Sequence, residues 1–205
     1  MTGVVLAGGR SRRMGEPKER LPLPNGRTFL ENALDLLSRL TDMQVVAGGE
    51  PSTTEGVRMR KSPLTHPFKP PFLHIMDLRP GEGPLAGIEA ALATGFGGGY
   101  LVIACDQPKL SAALLNRLLN EDADRIHAFE AEGSVIPLPV YVPQSALPAV
   151  RKAMNDGVRS LRQFIKPNNP YLVELPLNEL SLLQSVNTPE EYQNLWGELT
   201  VSPLN

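Results

Sequence analysis

The sequence has little of several residue types, and each shortage excludes a class of protein. One cysteine in 205 residues leaves no internal disulfide and no thiolate zinc site, which fits a reducing intracellular setting. Twenty basic against 22 acidic residues give a formal net charge of −2, without the positive excess typical of a non-specific nucleic-acid binder. Apolar runs stay below the roughly 18 residues of a membrane span, and the N-terminus lacks the pattern of a secretory signal. We expect a cytoplasmic protein that binds neither nucleic acid nor membrane.

Short apolar runs alternate with helical patterns along the first 120 residues. Strands are predicted at 1–7, 43–47, 72–76 and 100–105, and helices at 28–40, 84–94 and 111–119. Strand–helix units repeated at this spacing indicate a parallel sheet with helices on both faces. We therefore predict an α/β fold: a Rossmann-like, doubly wound, mostly parallel sheet in a three-layer αβα arrangement.

Beyond residue 120 the pattern is less regular. Pro137 and Pro139 fall inside a predicted strand at 134–142, and they would confine that strand to an edge of the sheet or to its ends. Residues 50–71 are proline-rich without a period, and we interpret them as a loop. The remaining predictions are strands at 125–129, 171–175 and 182–186 and helices at 145–155, 160–166 and 190–199. We expect one domain, 1–205, in which 125–180 partly covers one side.

A glycine-rich, basic segment follows the first predicted strand. Gly8 and Gly9 would let backbone N–H groups approach a phosphate closely. Four cationic side chains follow within nine residues, and they suit a triphosphate: Arg10, Arg12, Arg13 and Lys18. The segment has neither the Gly-Lys-Ser/Thr of a Walker loop nor Gly-x-Gly-x-x-Gly. A solvated basic turn is the structural alternative.

Two aspartates follow predicted strands. Ligands of open α/β sheets sit at the carboxyl ends of the strands, so side chains just past those ends are site candidates. Asp106 ends the most apolar strand, where a carboxylate suits Mg²⁺ better than folding; a loop or N-cap carboxylate is the alternative. Asp77 follows the third strand and precedes 83–88, a tight turn into a helix that packs closely on the strands.

The cysteine and the histidines show no pattern of a metal site or a catalytic pair. Cys105 has no histidine beside it in the sequence, so we expect a small core residue. The three histidines have no paired spacing, and we interpret them as surface or hydrogen-bonded residues: His66, His74 and His127.

Together these motifs resemble the molybdenum cofactor guanylyltransferase family (molybdopterin-guanine dinucleotide biosynthesis protein A), which has a GT-A-like nucleotidyltransferase fold. The family pattern Leu-Ala-Gly-Gly-x-Ser-x-Arg-Met-Gly-x-x-Lys occurs at 6–18, and Gly-Pro-Leu-Ala-Gly-Ile occurs at 83–88. Later matches are Cys-Asp-x-Pro at 105–108, Pro-Leu-Pro at 137–139, Gly-x-Arg-Ser at 157–160 and Asn-Thr-Pro-Glu at 187–190. The matches span nearly the whole chain in the family's order.

The resemblance implies a reaction and a set of site residues. It implies transfer of GMP from the substrate GTP to molybdopterin that carries molybdenum, with release of pyrophosphate. It implies a nucleotide-binding half at 1–120 and an acceptor-binding half at 121–205, and molybdoenzymes or their chaperones as protein partners. The implied nucleotide-binding residues are Leu6, Ala7, Gly8, Gly9, Lys18, Asp77 and Asp106. The implied catalytic residues are Lys18, Arg13 and Asp106, with Asp106 as the Mg²⁺ ligand and Asn187 and Arg159 on the acceptor side.

Three positions depart from the family pattern and leave alternatives open. Pro17 stands where an aspartate often precedes the lysine, 48–49 is Gly-Gly where an asparagine commonly follows the second strand, and Ser185 replaces the first asparagine of Asn-x-Asn. One alternative is another nucleotidyltransferase, either the cytidylyl type acting on molybdopterin or a sugar-phosphate enzyme. The other is a nucleotide-binding relative without turnover. The Gly-Gly at 8–9 and the motif at 83–88 favour guanine, because cytidylyl relatives resemble Leu-Ala-Ala-Gly and lack the second motif.

Overall fold

The computed structural model describes residues 1–7, 17–48, 58–60, 72–119 and 122–201. The strands are β1 (Thr2–Leu6), β2 (Met43–Ala47), β3 (Arg58–Arg60), β4 (Phe72–Ile75), β5 (Gly99–Ala104), β6 (His127–Ala131), β7 (Ser134–Pro143) and β8 (Tyr171–Glu174). The α-helices are α1 (Phe29–Ser38), α2 (Pro84–Ala93), α3 (Ala112–Asn116), α4 (Leu147–Asn155), α5 (Leu161–Ile165) and α6 (Pro189–Val201). Short 3₁₀ helices lie at Lys18–Arg20, Gln144–Ala146, Lys166–Asn168 and Leu177–Leu183. Within these ranges, no helix is long and apolar enough to cross a bilayer.

All eight strands join one mostly parallel sheet. Their order is β3-β4-β2-β1-β5-β7-β6-β8. β1 pairs in parallel with β2 and β5, β2 with β4, and β6 with β8. β3 and β7 run the other way. α1 joins the parallel strands β1 and β2, and α2 lies between β4 and β5 along the chain, which confirms the predicted doubly wound α/β fold.

Helices cover both faces of the sheet, which gives the predicted three layers. Val4 and Val5 are both fully buried, yet they belong to two different apolar clusters. The cluster around Val4 includes residues of α2, α4 and α5, whereas the cluster around Val5 includes residues of α1 and α3. Successive strand residues face opposite sides, so a strand buried on both faces is apolar throughout.

The predicted helix starts follow from local capping. Thr28 and Glu31 form a capping box before α1: each side chain accepts a hydrogen bond from the other residue's backbone N–H. Ser111 accepts from the N–H of Leu114, at 3.2 Å, before α3. Pro84 is the first residue of α2, where its missing N–H costs nothing.

The position of β7 in the sheet contradicts a prediction. Its prolines were expected to place the strand at an edge of the sheet, or else to lie only at the ends of the strand. The strand is interior, between β5 and β6. Its pairing with β6 skips from Val140 to Ile136, opposite the consecutive residues Ala128 and Phe129, so Pro137 and Pro139 fall in a bulge that needs no ladder N–H. A bulge depends on the partner strand, which the local sequence pattern does not reveal.

Two further expectations are wrong. The segment predicted as a strand at 182–186 ends the 3₁₀ helix Leu177–Leu183 and then continues without regular structure. The predicted loop at 50–71 contains β3, an edge strand antiparallel to β4, while its other residues lie outside the described ranges. Within 125–180, α4 and α5 pack on one face of the sheet, while β6, β7 and β8 extend the sheet itself.

Candidate functional site

Several of the predicted site residues that the structure describes lie where four parallel strands end. Three backbone hydrogen bonds extend the pairing just past β1, β2, β4 and β5: Ala7 N to Ala47 O at 2.9 Å, Cys105 N to Leu6 O at 3.2 Å and Gly48 N to Ile75 O at 3.2 Å. Asp77 and Asp106 are each the second residue past the end of one of these strands, β4 and β5. The carboxyl edge of the sheet is therefore where the site must be sought, as the sequence predicts.

Lys18, Asp106 and Asn187 meet at this edge, and we refer to them as the Lys18–Asp106–Asn187 cluster. The Nζ atom of Lys18 lies 2.8 Å from Oδ2 of Asp106 and 2.6 Å from Oδ1 of Asn187. The Lys18 and Asp106 side chains are only 16% and 17% exposed. Two oxygens from distant parts of the sequence thus converge on one cationic atom, in surroundings that screen charge less than open water does.

Asn187 is held from both sides. The N–H of Val186 donates to the backbone oxygen of Asp106 at 2.9 Å, which ties the segment to the end of β5. On the other side, Oε2 of Glu191 accepts from the N–H groups of Asn187 and Thr188, and the Thr188 hydroxyl accepts from the N–H of Glu191 at 3.2 Å. This reciprocal cap at the start of α6 fixes the backbone that carries the Asn187 side chain.

The Lys18 backbone is fixed by a short turn and an apolar cluster. Pro17 begins the turn by accepting from the N–H of Arg20 at 3.0 Å. The chain then enters a cluster of buried residues shared with the Asn187 segment: Leu21, Leu23, Phe29, Val186 and Leu195. Pro17 has no carboxylate that could orient Lys18. The ammonium group of Lys18 is instead oriented by Asp106 and Asn187.

Asp77 carries an unused acceptor. Its Oδ1 atom is buried and has no hydrogen-bond partner among the described residues. Burial raises the pKa of this carboxyl, and the neighbouring His74 opposes the shift. A Cβ atom placed on Gly87 would lie 3.4 Å from Oδ1, and one on Gly48 would lie 3.4 Å from Oδ2. An unpaired buried acceptor is unfavourable until a donor reaches it, so Asp77 can accept a hydrogen bond from a ligand.

Gly48 makes a turn that no other residue could make unchanged. Its φ angle is +79°, and a Cβ atom there would lie 2.6 Å from the backbone oxygen of Ala7. The Nε2 atom of His74 lies 2.8 Å from the backbone oxygen of Gly48, and it donates there because a carbonyl only accepts. An asparagine at position 48 is therefore excluded in this backbone, so this departure from the family pattern removes a side chain from the site.

Arg159 lies at the start of α2. It pairs with Glu82, with Nη2 and Oε2 3.2 Å apart, and donates to the backbone oxygens of Met154 and Val158. Its own backbone oxygen would lie 3.2 Å from a Cβ atom on Gly83. The structure thus places Arg159 beside the loop between Asp77 and α2.

Part of the predicted phosphate loop lies outside the described residues. This holds for Gly8, Gly9, Arg10, Arg12 and Arg13. Leu6 and Ala7 are described, and the N–H of Ala7 is already donated to Ala47. The N–H of Ala7 is therefore paired within the sheet and is not free to bind a nucleotide.

The cysteine and two histidines are structural, as expected. Cys105 is buried, and burial raises the pKa of its thiol well above the ordinary value, which disfavours the reactive thiolate. Both ring nitrogens of the buried His127 lie 2.6 Å from backbone oxygens, and His74 contacts Gly48. His66 lies outside the described residues. No group of three metal-binding side chains that could hold an ion occurs in the described part of the chain.

Sequence reasoning missed Gln107, which fills the variable position of Cys-Asp-x-Pro. Its side chain is only 7% exposed and bonds to three chain segments. The available signal was a polar amide next to Asp106 at the end of an apolar strand, where burial obliges an amide to find partners.

Known proteins resemble this chain over most of its length. The family model of the MobA-like NTP transferase domain matches residues 3–172. A molybdenum cofactor guanylyltransferase from Xanthomonas euvesicatoria is 33% identical over 200 residues, covering 96% of this chain and 95% of that protein. A probable molybdenum cofactor guanylyltransferase from Bacillus cytotoxicus is 29% identical over 95% of this chain and 96% of its own length.

The fold also matches a solved structure. Molybdopterin-guanine dinucleotide biosynthesis protein A from Archaeoglobus fulgidus superposes with a TM-score of 0.74 at 23% identity, covering 98% of this chain and all of that one. At this identity the likeness supports the fold alone, while the family model and the Xanthomonas relative carry the assignment. The chain therefore belongs to the MobA-like NTP transferase family and is a nucleotidyltransferase.

Proposed function

We propose that the protein transfers GMP from GTP to the terminal phosphate of molybdopterin carrying molybdenum, and releases pyrophosphate. The observation that carries this proposal is the Lys18–Asp106–Asn187 cluster, a cation and two oxygen ligands at the carboxyl edge of the sheet. The names of the two relatives support the choice of guanine and of molybdopterin. The use of GTP as a substrate and the presence of a single cysteine both fit a reaction in the cytoplasm.

The residues of the cluster fit a magnesium ion. Mg²⁺ prefers oxygen ligands, and it is commonly held by one or two carboxylates together with substrate phosphates. Oδ2 of Asp106 and Oδ1 of Asn187 lie within 2.8 Å of a single cationic atom, so they can share a small cation. Asp106 would be the charged ligand and Asn187 a neutral one. When bound, the ion would offset negative charge on the reacting phosphates.

The transfer needs charge neutralisation more than proton transfer. An oxygen of the acceptor phosphate forms a bond to the α-phosphorus of GTP. The bond from that phosphorus to the oxygen bridging the β-phosphate breaks, and its electron pair leaves on pyrophosphate. A phosphate oxygen is already ionised at pH 7, so no general base is required. Lys18 and Arg13 would offset the charge of the departing pyrophosphate.

Nucleotide recognition would use the ends of β1, β4 and β5. We assign it to Leu6, Ala7, Gly8, Gly9, Lys18, Asp77 and Asp106. The unpaired Oδ1 of Asp77 suits a donor of the nucleotide, either a ring N–H or a ribose hydroxyl. Asn187, in the proposed acceptor half 121–205, accepts a hydrogen bond from Lys18 of the proposed nucleotide half 1–120. Arg159 is assigned to the acceptor side, and molybdoenzymes or their chaperones would receive the product.

Pyrophosphate release tests the proposal against its alternatives. The protein is incubated with Mg²⁺ and GTP, with and without molybdenum-loaded molybdopterin, and CTP and a sugar 1-phosphate are tested in parallel. Release that needs GTP and molybdopterin together supports the proposal. Faster release with CTP would assign a cytidylyl enzyme, and release with the sugar 1-phosphate a sugar-phosphate enzyme. GTP binding without release would favour the non-catalytic relative.

A further inference from the structure

Gln107 is a buried amide with no direct place in the proposed chemistry. It follows Asp106 immediately, and its residue is 7% exposed. Its Nε2 group donates to the backbone oxygen of Leu183 at 2.8 Å and to that of Leu138 at 3.3 Å. Its Oε1 atom accepts from the N–H of Ala104 at 3.4 Å. One side chain therefore joins the end of β5, the bulge of β7 and the end of the last 3₁₀ helix.

The bond to Leu183 acts on the segment that carries Asn187. Leu183 ends the 3₁₀ helix, and only three residues separate it from Asn187. Within that stretch, Val186 donates its N–H to Asp106, the residue before Gln107. Neighbouring residues at the end of β5 thus hold the segment at two points, through the Asp106 backbone and the Gln107 side chain.

We propose that Gln107 is a positioning residue for nucleotidyl transfer, which keeps Asn187 against Lys18 and Asp106. This inference rests on the proposed function. Both donor hydrogens of the amide are used, one for each carbonyl. Methionine has a similar length but no donor, so Gln107→Met removes this donor from the buried carbonyl of Leu183 and the partly buried carbonyl of Leu138, and it frees the segment to move.

Gln44 offers a matched control. It is a fully buried glutamine whose Nε2 group donates to the backbone and hydroxyl oxygens of Thr41. It lies near the amino end of β2, at the other end of the sheet from the cluster. Gln44→Met therefore removes a buried amide of the same kind without touching the segment of Asn187.

The kinetic test compares the two variants in pyrophosphate release. We expect Gln107→Met to lower kcat at least about 10-fold with little change in KM for GTP, because the nucleotide contacts remain in place. Gln44→Met should change kcat less than about 2-fold, even if it lowers the melting temperature as much as Gln107→Met does. Equal kcat in the two variants would overturn the inference.

A double-mutant cycle tests whether Gln107 acts through Asn187. We expect Gln107→Met to have little further effect on kcat in an Asn187→Ala background, because the side chain it positions is already gone. Full additivity of the two losses would overturn the inference.

A readout without turnover separates this inference from the proposed function. Hydrogen exchange at the amide of Val186 should quicken at least about 10-fold in Gln107→Met and stay within about 2-fold in Gln44→Met. Unchanged exchange would overturn the positioning role even in an active enzyme. Absence of turnover in the wild-type protein would instead overturn the proposed function.

Discussion

At the scale of single residues, the ion pair between Lys18 and Asp106 is the most consequential contact. Most ion pairs in the described part of the chain have at least one clearly exposed partner, as Lys152 and Asp156 do at 77% and 55%. Such surface pairs contribute little to stability. Lys18 and Asp106 are both mostly buried. Replacing either of them therefore leaves the charge of the other unpaired in poorly solvated surroundings.

Asp106→Asn should abolish most of the turnover while leaving the fold intact. The amide keeps the shape of the side chain but loses the charge that would hold Mg²⁺. We expect pyrophosphate release to fall at least about 100-fold, which corresponds to roughly 2.7 kcal/mol of lost transition-state stabilisation. Asp156→Asn is the control, because it also breaks a lysine pair but lies just past the end of α4. Normal turnover in Asp106→Asn would remove this residue from the metal site.

Lys18→Met should have two opposite effects. Loss of the ammonium group should lower turnover at least about 10-fold, if its phosphate contact strengthens in the transition state. The same change leaves the two cluster oxygens without a cation, so Mn²⁺ alone should bind more tightly than in the wild type. Calorimetric titration without nucleotide checks this, with Lys152→Met as the control. Unchanged Mn²⁺ affinity would mean that Lys18 and the metal do not share these oxygens.

Asp77→Asn should raise stability and weaken nucleotide binding. Burial raises the pKa of Asp77 above its ordinary value of 3.8, so folding favours the protonated form. The stability linked to that proton is fully present below pH 3.8 and is lost as the pH rises through the folded pKa. The variant should therefore melt at a higher temperature than the wild type at pH 7, with the gap narrowing toward pH 4. A constant gap between pH 7 and pH 4 would contradict this account.

At the scale of elements, the turn after β2 shapes the site by leaving no room for a side chain. Gly48 and Gly81 have nearly the same φ angle, +79° and +80°, but a Cβ atom on Gly81 would meet nothing within 4 Å. The pair therefore separates the cost of the angle from the cost of the close approach to Ala7.

Gly48→Ala should destabilise the protein clearly more than Gly81→Ala. Both variants carry the cost of a left-handed angle, about 1–2 kcal/mol, and only Gly48→Ala adds a contact of 2.6 Å with a backbone oxygen. We expect GTP binding to weaken only in Gly48→Ala, because the substitution displaces Ala7, one of the proposed nucleotide-binding residues. Denaturant unfolding and GTP titration measure the two effects. Equal losses of stability in the two variants would show that the backbone near Ala7 moves away from the new Cβ atom at no further cost in free energy.

The elements that the sequence predicted well are those whose signals are local. The capped helix starts at Thr28 and Ser111 and the apolar strand β5 depend on neighbouring residues, and all three were predicted. The interior place of β7 was not, because Pro137 and Pro139 read as edge signals until the bulge against β6 is known. Partners distant in the sequence decide such cases.

At the scale of the whole molecule, the site draws on both ends of the chain. The contact between Lys18 and Asn187 joins residues 169 positions apart, and α6 returns beside the turn that follows Lys18. No local pattern brings these residues together; family resemblance identified them, and the fold makes them neighbours. Gln107 was not identified by the resemblance, because it fills a variable position of the motif. Its buried side chain nevertheless forms hydrogen bonds with three segments of the chain.

The most direct test of the account follows the phosphates of labelled GTP. The protein is given GTP labelled at the α- or the γ-phosphate, together with Mg²⁺ and molybdenum-loaded molybdopterin. We predict that the α label appears in a molybdopterin product that contains guanine, that the γ label leaves as pyrophosphate, and that neither moves without molybdopterin. Release of the γ label as inorganic phosphate, or an α label that never reaches molybdopterin, would contradict the account.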